Sequence, residues 1–302
     1  LLTTPAIYRK TQLEEARLNG NIEVFLRSDD ESVSDFIGRT RCIFESADIL
    51  YFNTVRHHWR ELNSIPLPPV SIARVHNAHC DLAPGSHLYR PLANAIPIFF
   101  HLISVLLIKR EWSLKKKFFQ KIDYVMFPNE SITEYVRNQG WIEPKKIMEP
   151  ILPFGCLGDK SYESNSSEFW VTLGITGRVT NRKKDYHLVC SAIERCISEL
   201  HYPIKLVLLG RAGDKEATQI VDEFKKLECD SFSLDYSRDY LDSEAFEEKI
   251  SGVDFLISPI QTSIECRRYN EVYGKTKISG IENDVLAFRK PLLVNSGYCV
   301  SG

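Results

Sequence analysis

The clearest sign of fold class lies at residues 169–200, "FWVTLGITGRVTNRKKDYHLVCSAIERCISEL". It opens with a short apolar run that ends at a glycine and continues through a basic loop. It closes with a segment whose apolar residues recur with helical spacing. Apolar runs that alternate with amphipathic helices are typical of parallel sheets, because each parallel strand needs a crossover connection. The stretch therefore predicts one strand, loop and helix of an α/β domain.

The same alternation continues to the end of the chain. Helical patterns occur at 216–227 ("EATQIVDEFKKL") and 242–252 ("DSEAFEEKISG"). The apolar run "IKLVLLG" (204–210) precedes these patterns, "SFSLDY" (231–236) lies between them, and "VDFLISPI" (253–260) and "KPLLVNSG" (290–297) follow them. We predict a mostly parallel sheet with crossover helices, forming a Rossmann-like domain over 169–302.

The N-terminal half shows a second, similar alternation. A helix over 130–140 is predicted to end at Gly140, and strands are predicted in "ADILYFNTV" (47–55), "VSIARVHN" (70–77) and "IDYVMFPN" (122–129). We predict a Rossmann-like domain over 1–152, with its first strand upstream of residue 1, and a Pro-, Gly- and Ser-rich linker over 153–168. The predicted fold class is α/β, with two Rossmann-like domains facing a cleft.

Composition limits the function classes. The 302 residues carry a formal net charge of −2, which excludes general binding to nucleic acid because that requires a broad basic surface. None of the eight cysteines lies in a C-x-x-C pair, so we expect reduced thiols in a cytoplasmic protein. The opening "LLTTPAIYRK" shows no secretory leader.

The segment 94–121 departs from the α/β pattern. Its apolar run, Ala95–Ile108, is shorter than the about 20 residues that span a bilayer, and six basic residues follow by position 121. Two interpretations remain open. The segment is either a buried crossover helix followed by a solvated basic turn, or a helix on a membrane surface. The membrane interpretation places the residues 95–121 peripherally on the cytoplasmic face, with lysines on anionic headgroups among Trp112, Phe118 and Phe119.

Two loops contain the residues best suited to bind phosphate. Arg178 and Lys183 follow the predicted strand that ends at Gly177, and such cations suit a diphosphate. In "YGKTKISGIENDVLAFRKPLLV" (273–294), Ser279 and Gly280 begin a helix beside Lys277, and a helix N-terminus favours an anion. The alternative is a solvated basic loop in the first case and a plain helix cap in the second.

These motifs occur in a familiar order. The series "GR-x4-K", "LVLLGRAG", "DFLISP" and "KPLLV" resembles the nucleotide-binding domain of GT-B glycosyltransferases, in particular those of the retaining family 4 type. The runs upstream resemble that family's acceptor domain. The resemblance implies transfer of a sugar from a nucleoside-diphosphate sugar to a glycan, lipid-linked or protein acceptor. It also implies no cofactor and no metal in the site.

The resemblance also implies roles for individual residues. Arg178 and Lys183 would bind the donor diphosphate, and His76 would lie near the sugar. The nucleotide-binding candidates are Gly177, Gly210 and Thr276.

The family carries two glutamates eight positions apart, and this sequence departs from that pattern. Counting back from Pro291 gives Asp284 and Thr276, whereas an "E-x-Y-G" motif starts at Glu271. His76, Glu271 and Asp284 are therefore the catalytic candidates. The departure keeps two other interpretations open, an inactive nucleotide-binding regulatory protein and a sugar-nucleotide epimerase.

Overall fold

The structure is a computed structural model that describes residues 1–8, 18, 20, 22–84, 111–150, 170–199, 203–266 and 269–298. The chain forms two compact units. Unit 1 comprises Leu1–His76, Asp81–Phe127 and Val136–Glu149. Unit 2 comprises Asn77–Cys80, Pro128–Tyr135 and Pro150–Gly302. The predicted linker over 153–168 lies outside the described residues.

Unit 1 contains a three-stranded parallel sheet in the order β3-β4-β5 and a separate parallel pair, β1-β2. The strands are β1 (Leu2–Thr3), β2 (Phe25–Leu26), β3 (Ile49–Phe52), β4 (Val70–Arg74) and β5 (Tyr124–Met126). The helices of the N-terminal half are α1 (Pro5–Tyr8), α2 (Val33–Arg39), α3 (Arg41–Ser46), α4 (Trp59–Ser64), α5 (Ala78–Leu82), α6 (Glu111–Lys121) and α7 (Glu130–Gln139). The predicted strands and the helix ending at Gly140 are confirmed.

The aromatic residues of α6 belong to the core of unit 1. Phe118 is fully buried, and its ring lies 5.3 Å from the ring of Phe52 and 5.7 Å from that of Trp59. Phe119 and Lys115 are buried as well. For Phe118 and Phe119 the structure supports the buried interpretation and not the membrane one, because their rings fill the space between α6, α4 and the sheet. The apolar run Ala95–Ile108 lies outside the described residues.

None of the helices within the described ranges combines the length and the hydrophobicity needed to cross a bilayer.

Unit 2 is built on a five-stranded parallel sheet in the order β12-β9-β6-β7-β8. The strands of this unit are β6 (Val171–Thr176), β7 (Ile204–Arg211), β8 (Phe232–Ser237), β9 (Phe255–Ser258), β10 (Ser263–Cys266), β11 (Tyr269–Val272) and β12 (Leu292–Val294). Its helices are α8 (Tyr186–Glu199), α9 (Lys215–Lys225), α10 (Ser243–Ser251) and α11 (Ile281–Phe288). The strand order reverses between β6 and β9, which is where doubly wound sheets bind ligands.

The central strand β7 shows why the apolar runs lack a polar face. Leu206 and Leu208 pack into one buried cluster, which includes residues of α8 and α9. Val207 and Leu209 point the other way, into a cluster that includes residues of α10 and α11. Successive side chains of a strand point to opposite faces, so helices on both faces require apolar residues at every position. The doubly wound Rossmann-like fold predicted for this half of the chain is confirmed.

An antiparallel hairpin, β10-β11, was not predicted. It pairs Ile264 with Glu271 and Cys266 with Tyr269. A disulfide joins Cys266 to Cys80, whose Cα atoms lie 6.5 Å apart although 186 positions separate them in the sequence. The prediction of reduced thiols is wrong for this pair, because folding brings two distant segments of unit 2 together. Four other described cysteines are free: Cys42, Cys190, Cys196 and Cys229.

Candidate functional site

The turns that follow β6 and β7 pack directly on each other. Gly177 adopts a positive φ of 81°, which glycine reaches without strain. A Cβ atom at Gly210 would overlap the carbonyl oxygen of Gly177. Glycine at position 210 therefore allows the two strand ends to approach closely, and both turns line the same cavity.

This cavity of unit 2 has a volume of about 940 Å³ and lies at the carboxyl ends of β6, β7 and β9. The start of α11 closes another side of it. A volume of this size is within the range of sites that hold small molecules and cofactors. The cavity brings together eight of the predicted site residues: Gly177, Arg178, Lys183, Gly210, Lys277, Ser279, Gly280 and Asp284.

Most of the charged side chains described as lining the cavity are cationic. Six of its lining residues are cationic and three are acidic, which favours an anionic ligand. The cationic residues are Arg178, Arg182, Lys183, Lys184, Arg211 and Lys277, and the acidic ones are Asp214, Glu216 and Asp284.

Asp214 orients the guanidinium of Arg178. Nη2 of Arg178 donates to Oδ2 of Asp214 at 2.7 Å, and the arginine side chain is largely exposed. The other oxygen of Asp214 accepts from the N–H of Ala217 at the start of α9. These two hydrogen bonds hold the pKa of Asp214 below its ordinary value. The arginine is thus fixed along the cavity wall by an acid that is itself a helix cap.

Lys184 was not predicted, although its neighbour Lys183 was. Its ammonium donates to the main-chain carbonyl of Thr176 and, at 3.3 Å, to that of Gly177. Burial lowers the pKa of Lys184 to about 8, although the charge of Asp284 acts in the opposite direction. A pair of adjacent lysines gives no sequence signal for which of the two turns inward.

Asp284 is the acid of α11 that lines the cavity. Burial raises its pKa above the ordinary value, while a hydrogen bond with Thr176 and the charge of Lys184 offset part of this effect. A partly buried carboxylate beside a lysine can accept hydrogen bonds from hydroxyl groups of a ligand.

The third cationic segment is the loop before α11. The ammonium of Lys277 donates to the side-chain oxygen of Asn77, within unit 2, and lies 5.8 Å from the ring of Tyr273. Gly280 is the N-cap of α11 and has no side chain to cap the first turn. The N–H of Ser279 donates to the hydroxyl of Tyr298 at 3.3 Å. The positive end of the helix thus lines the cavity beside a lysine.

Two predicted residues of unit 2 are not among those described as lining the cavity. Glu271 and Thr276 are buried, and the hydroxyl of Thr276 donates to Oε2 of Glu271 at 2.6 Å. The second oxygen, Oε1, accepts from the N–H of Cys80 at 2.9 Å. The catalytic role of Glu271 and the nucleotide-binding role of Thr276 stay predictions.

His76 belongs to unit 1. Its Nε2 lies 2.9 Å from the carbonyl oxygen of Asn53, and a carbonyl only accepts, so the proton is on Nε2. Burial lowers the pKa of His76, because it disfavours the charged form of the ring. Its proposed place near a sugar stays a prediction.

Unit 1 has a cavity of its own, with a volume of about 520 Å³. Trp112, Trp141 and Phe119 provide apolar walls, and Lys115, Lys116, Glu143 and Lys146 add charge. The ammonium of Lys146 donates to the carbonyls of Gln120 and Ile122 at 2.6 and 2.7 Å. The sequence did not predict this cavity.

No protein-family model and no curated protein matches the sequence. Solved structures do match, and one of them is a glycosyltransferase from Rickettsia africae ESF-5. It aligns with a TM-score of 0.50 and 12% identity, over 96% of this chain and 70% of that chain. The chain has a GT-B-type fold.

Two further structures are similar to this GT-B chain. TarM aligns with a TM-score of 0.47 and 10% identity, over 85% of this chain. The chain spans 43% of the length of that TarM structure. MnaA from S. aureus, solved with UDP, aligns with a TM-score of 0.46 and 14% identity, over 96% of this chain and 70% of that chain. Identities this low concern the fold alone.

Proposed function

We propose that the protein is a glycosyltransferase that moves a sugar from a nucleoside-diphosphate sugar to an acceptor. The supporting observation is that cations from two loops and from the end of β7, together with the start of α11, line one cavity at the switch point of unit 2. The donor diphosphate would occupy the space beside Arg178, Lys183 and Lys277. Asp284 would accept hydrogen bonds from the ribose hydroxyls.

The same residues would also contribute to catalysis. When the glycosidic bond breaks, negative charge grows on the nucleoside diphosphate that leaves. Cations held in place before the reaction stabilise that charge more in the transition state than in the ground state, and only this difference accelerates transfer. We propose that Arg178, Lys183 and Lys184 supply this stabilisation, with the N-terminus of α11. No metal is required for this scheme, and the anomeric configuration would be retained.

The acceptor would bind to unit 1. Its cavity combines tryptophan and phenylalanine walls with lysines, which suits a lipid-linked acceptor that has an apolar part and an anionic group. Glycan and protein acceptors remain within the proposal. Lys116 and Lys117 are exposed on α6 and would contact anionic headgroups if the acceptor lies in a membrane.

A nucleotide-binding regulatory protein is the second candidate. It is favoured by the positions of Glu271 and Thr276, which bind each other rather than line the described part of the cavity. An epimerase would need an acid and a base beside the sugar.

A panel of nucleoside diphosphates and their sugars tests the proposal by thermal shift, since a ligand of the folded state raises the melting temperature. We expect one donor to stabilise the protein and, on incubation, to be hydrolysed with water as the acceptor, giving free sugar and free nucleoside diphosphate. Stabilisation without release would support the regulatory protein. Conversion of the sugar with no free diphosphate would support the epimerase. If no member of the panel binds, the donor site is refuted.

A further inference from the structure

Outside the cavity that is proposed to bind the donor (the donor cavity), unit 2 brings together three side chains of types that bind metal ions. The sulfur atoms of Cys80 and Cys266 and a carboxylate oxygen of Glu271 all lie within 4.8 Å of one another. The glutamate is buried, whereas both cysteines are partly exposed, so the cluster is within reach of solvent. None of the three is among the residues described as lining the donor cavity.

The carboxylate of Glu271 is costly to bury. Its two oxygens accept hydrogen bonds from the N–H of Cys80 and the hydroxyl of Thr276, which are neutral donors. The carboxylate also lies beside a histidine, with Nδ1 of His79 3.5 Å from Oε2. A buried carboxylate needs compensation for its charge, and a divalent cation compensates more than neutral donors do.

Reduction of the disulfide would supply the remaining ligands. A dithiol reductant donates two electrons and two protons, becomes a disulfide itself, and leaves one thiol on Cys80 and one on Cys266. Folding still holds their Cα atoms near each other, because the N–H of Ala78 donates to the carbonyl of Thr276 and the segments pair between Asn77 and Lys277. Two thiolates and one carboxylate are ligands that suit Zn²⁺.

We propose that the reduced protein binds one Zn²⁺ through the thiolates of Cys80 and Cys266 and the carboxylate of Glu271, with water in the fourth position. Binding displaces the two thiol protons to solvent. The hydroxyl of Thr276 and the N–H of Cys80 donate to the carboxylate and so orient it toward the ion. The ion would fasten the hairpin β10-β11 to residues 77–80 when the disulfide is absent.

Zinc titration of the full chain tests this site. The protein is reduced, treated with a chelator, freed of both reagents without air, and titrated with Zn²⁺ against a chromophoric chelator. We expect one tightly bound ion per chain. Cys80→Ser and Cys266→Ser are each expected to weaken binding more than about 100-fold, the upper end of the effect of losing a group that only hydrogen-bonds a metal ligand. The matched control is the double variant Cys190→Ser with Cys196→Ser, which should bind as the wild type does.

Glu271→Gln decides whether the carboxylate is a ligand. We expect it to weaken Zn²⁺ binding at least tenfold, and an unchanged affinity would overturn the site. Co²⁺ in place of Zn²⁺ should give sulfur-to-metal charge-transfer absorption in the wild type, and its absence would overturn the thiolate ligands.

Alkylation of the wild-type protein avoids any dependence on how variants fold. Reduced protein is treated with iodoacetamide with and without Zn²⁺, and the modified cysteines are mapped by peptide mass spectrometry. We expect Zn²⁺ to protect Cys80 and Cys266, while the exposed Cys42 and Cys229 react in both samples. Equal labelling of Cys80 and Cys266 with and without Zn²⁺ would overturn the proposal. None of the zinc, cobalt and alkylation experiments measures nucleotide binding. A negative result in them would therefore not bear on the proposed function.

Discussion

The ammonium of Lys184 should make the affinity for a nucleoside diphosphate depend on pH. Burial lowers the pKa of this lysine to about 8 in the ligand-free protein. A bound diphosphate favours the charged ammonium, so binding takes up a proton wherever the free lysine is neutral. Affinity is therefore expected to be full below pH 8 and to fall as the pH rises above it.

The magnitude follows from this pKa. At pH 9, about one lysine in eleven is protonated, so the dissociation constant should be about tenfold higher than at pH 7, or about 1.4 kcal/mol. A terminal phosphate has a second pKa of about 6, so the charge of the ligand hardly changes between pH 7 and pH 9. The change of the dissociation constant with pH therefore reflects titration of the protein and not of the ligand.

Calorimetry with the best-binding nucleoside diphosphate, between pH 7 and 9 at constant ionic strength, measures this slope. Repeating it in buffers of different ionisation enthalpy counts the protons taken up. Lys184→Met should bind weakly with no such slope. The control Lys183→Met should bind more weakly than the wild type at every pH and keep the slope. A constant wild-type affinity, or an unchanged slope in Lys184→Met, would refute the reasoning.

Three further predictions follow from burial and contact. Arg178→Ala should weaken nucleoside diphosphate binding tenfold or more, because a charged contact is lost; unchanged affinity in calorimetry would remove this residue from the donor site. Gly210→Ala should lower the free energy of unfolding by about 1–3 kcal/mol, because its Cβ would overlap Gly177. In urea titrations the matched control is Gly280→Ala, whose Cβ meets nothing within 4 Å; equal losses would contradict this packing. Phe118→Ala should cost about 3–5 kcal/mol in the same assay, because the ring is fully buried; a loss below 1 kcal/mol would argue against its core position.

The strands of the unit 2 sheet were predictable because of their burial. Buried clusters lie on both faces of β7 and β9, so apolar residues fill most positions of these strands between turn residues. The hairpin β10-β11 was not predictable in the same way. Its strands have four residues each, pair with each other, and mix polar with apolar positions, so their pattern is weak.

The candidate site was predictable only where strand ends determine it. Arg178 and Lys183 follow β6 directly, and the carboxyl ends of parallel strands meet at one edge of the sheet. Whether Lys183 or Lys184 is the buried lysine depends on the path of the loop, which composition does not encode. The contact between Cys80 and Cys266 joins segments 186 positions apart, and no local pattern links them.

The back-to-back glycines at positions 177 and 210 have a consequence for engineering. A side chain introduced at position 210 would displace the turn at Gly177 and move the basic residues that follow it. Any gain in ligand selectivity from that side chain would therefore be accompanied by weaker ligand binding. Mutational libraries of the proposed donor site should hold both glycines constant. They should instead vary exposed wall positions such as Tyr240, where new side chains have room.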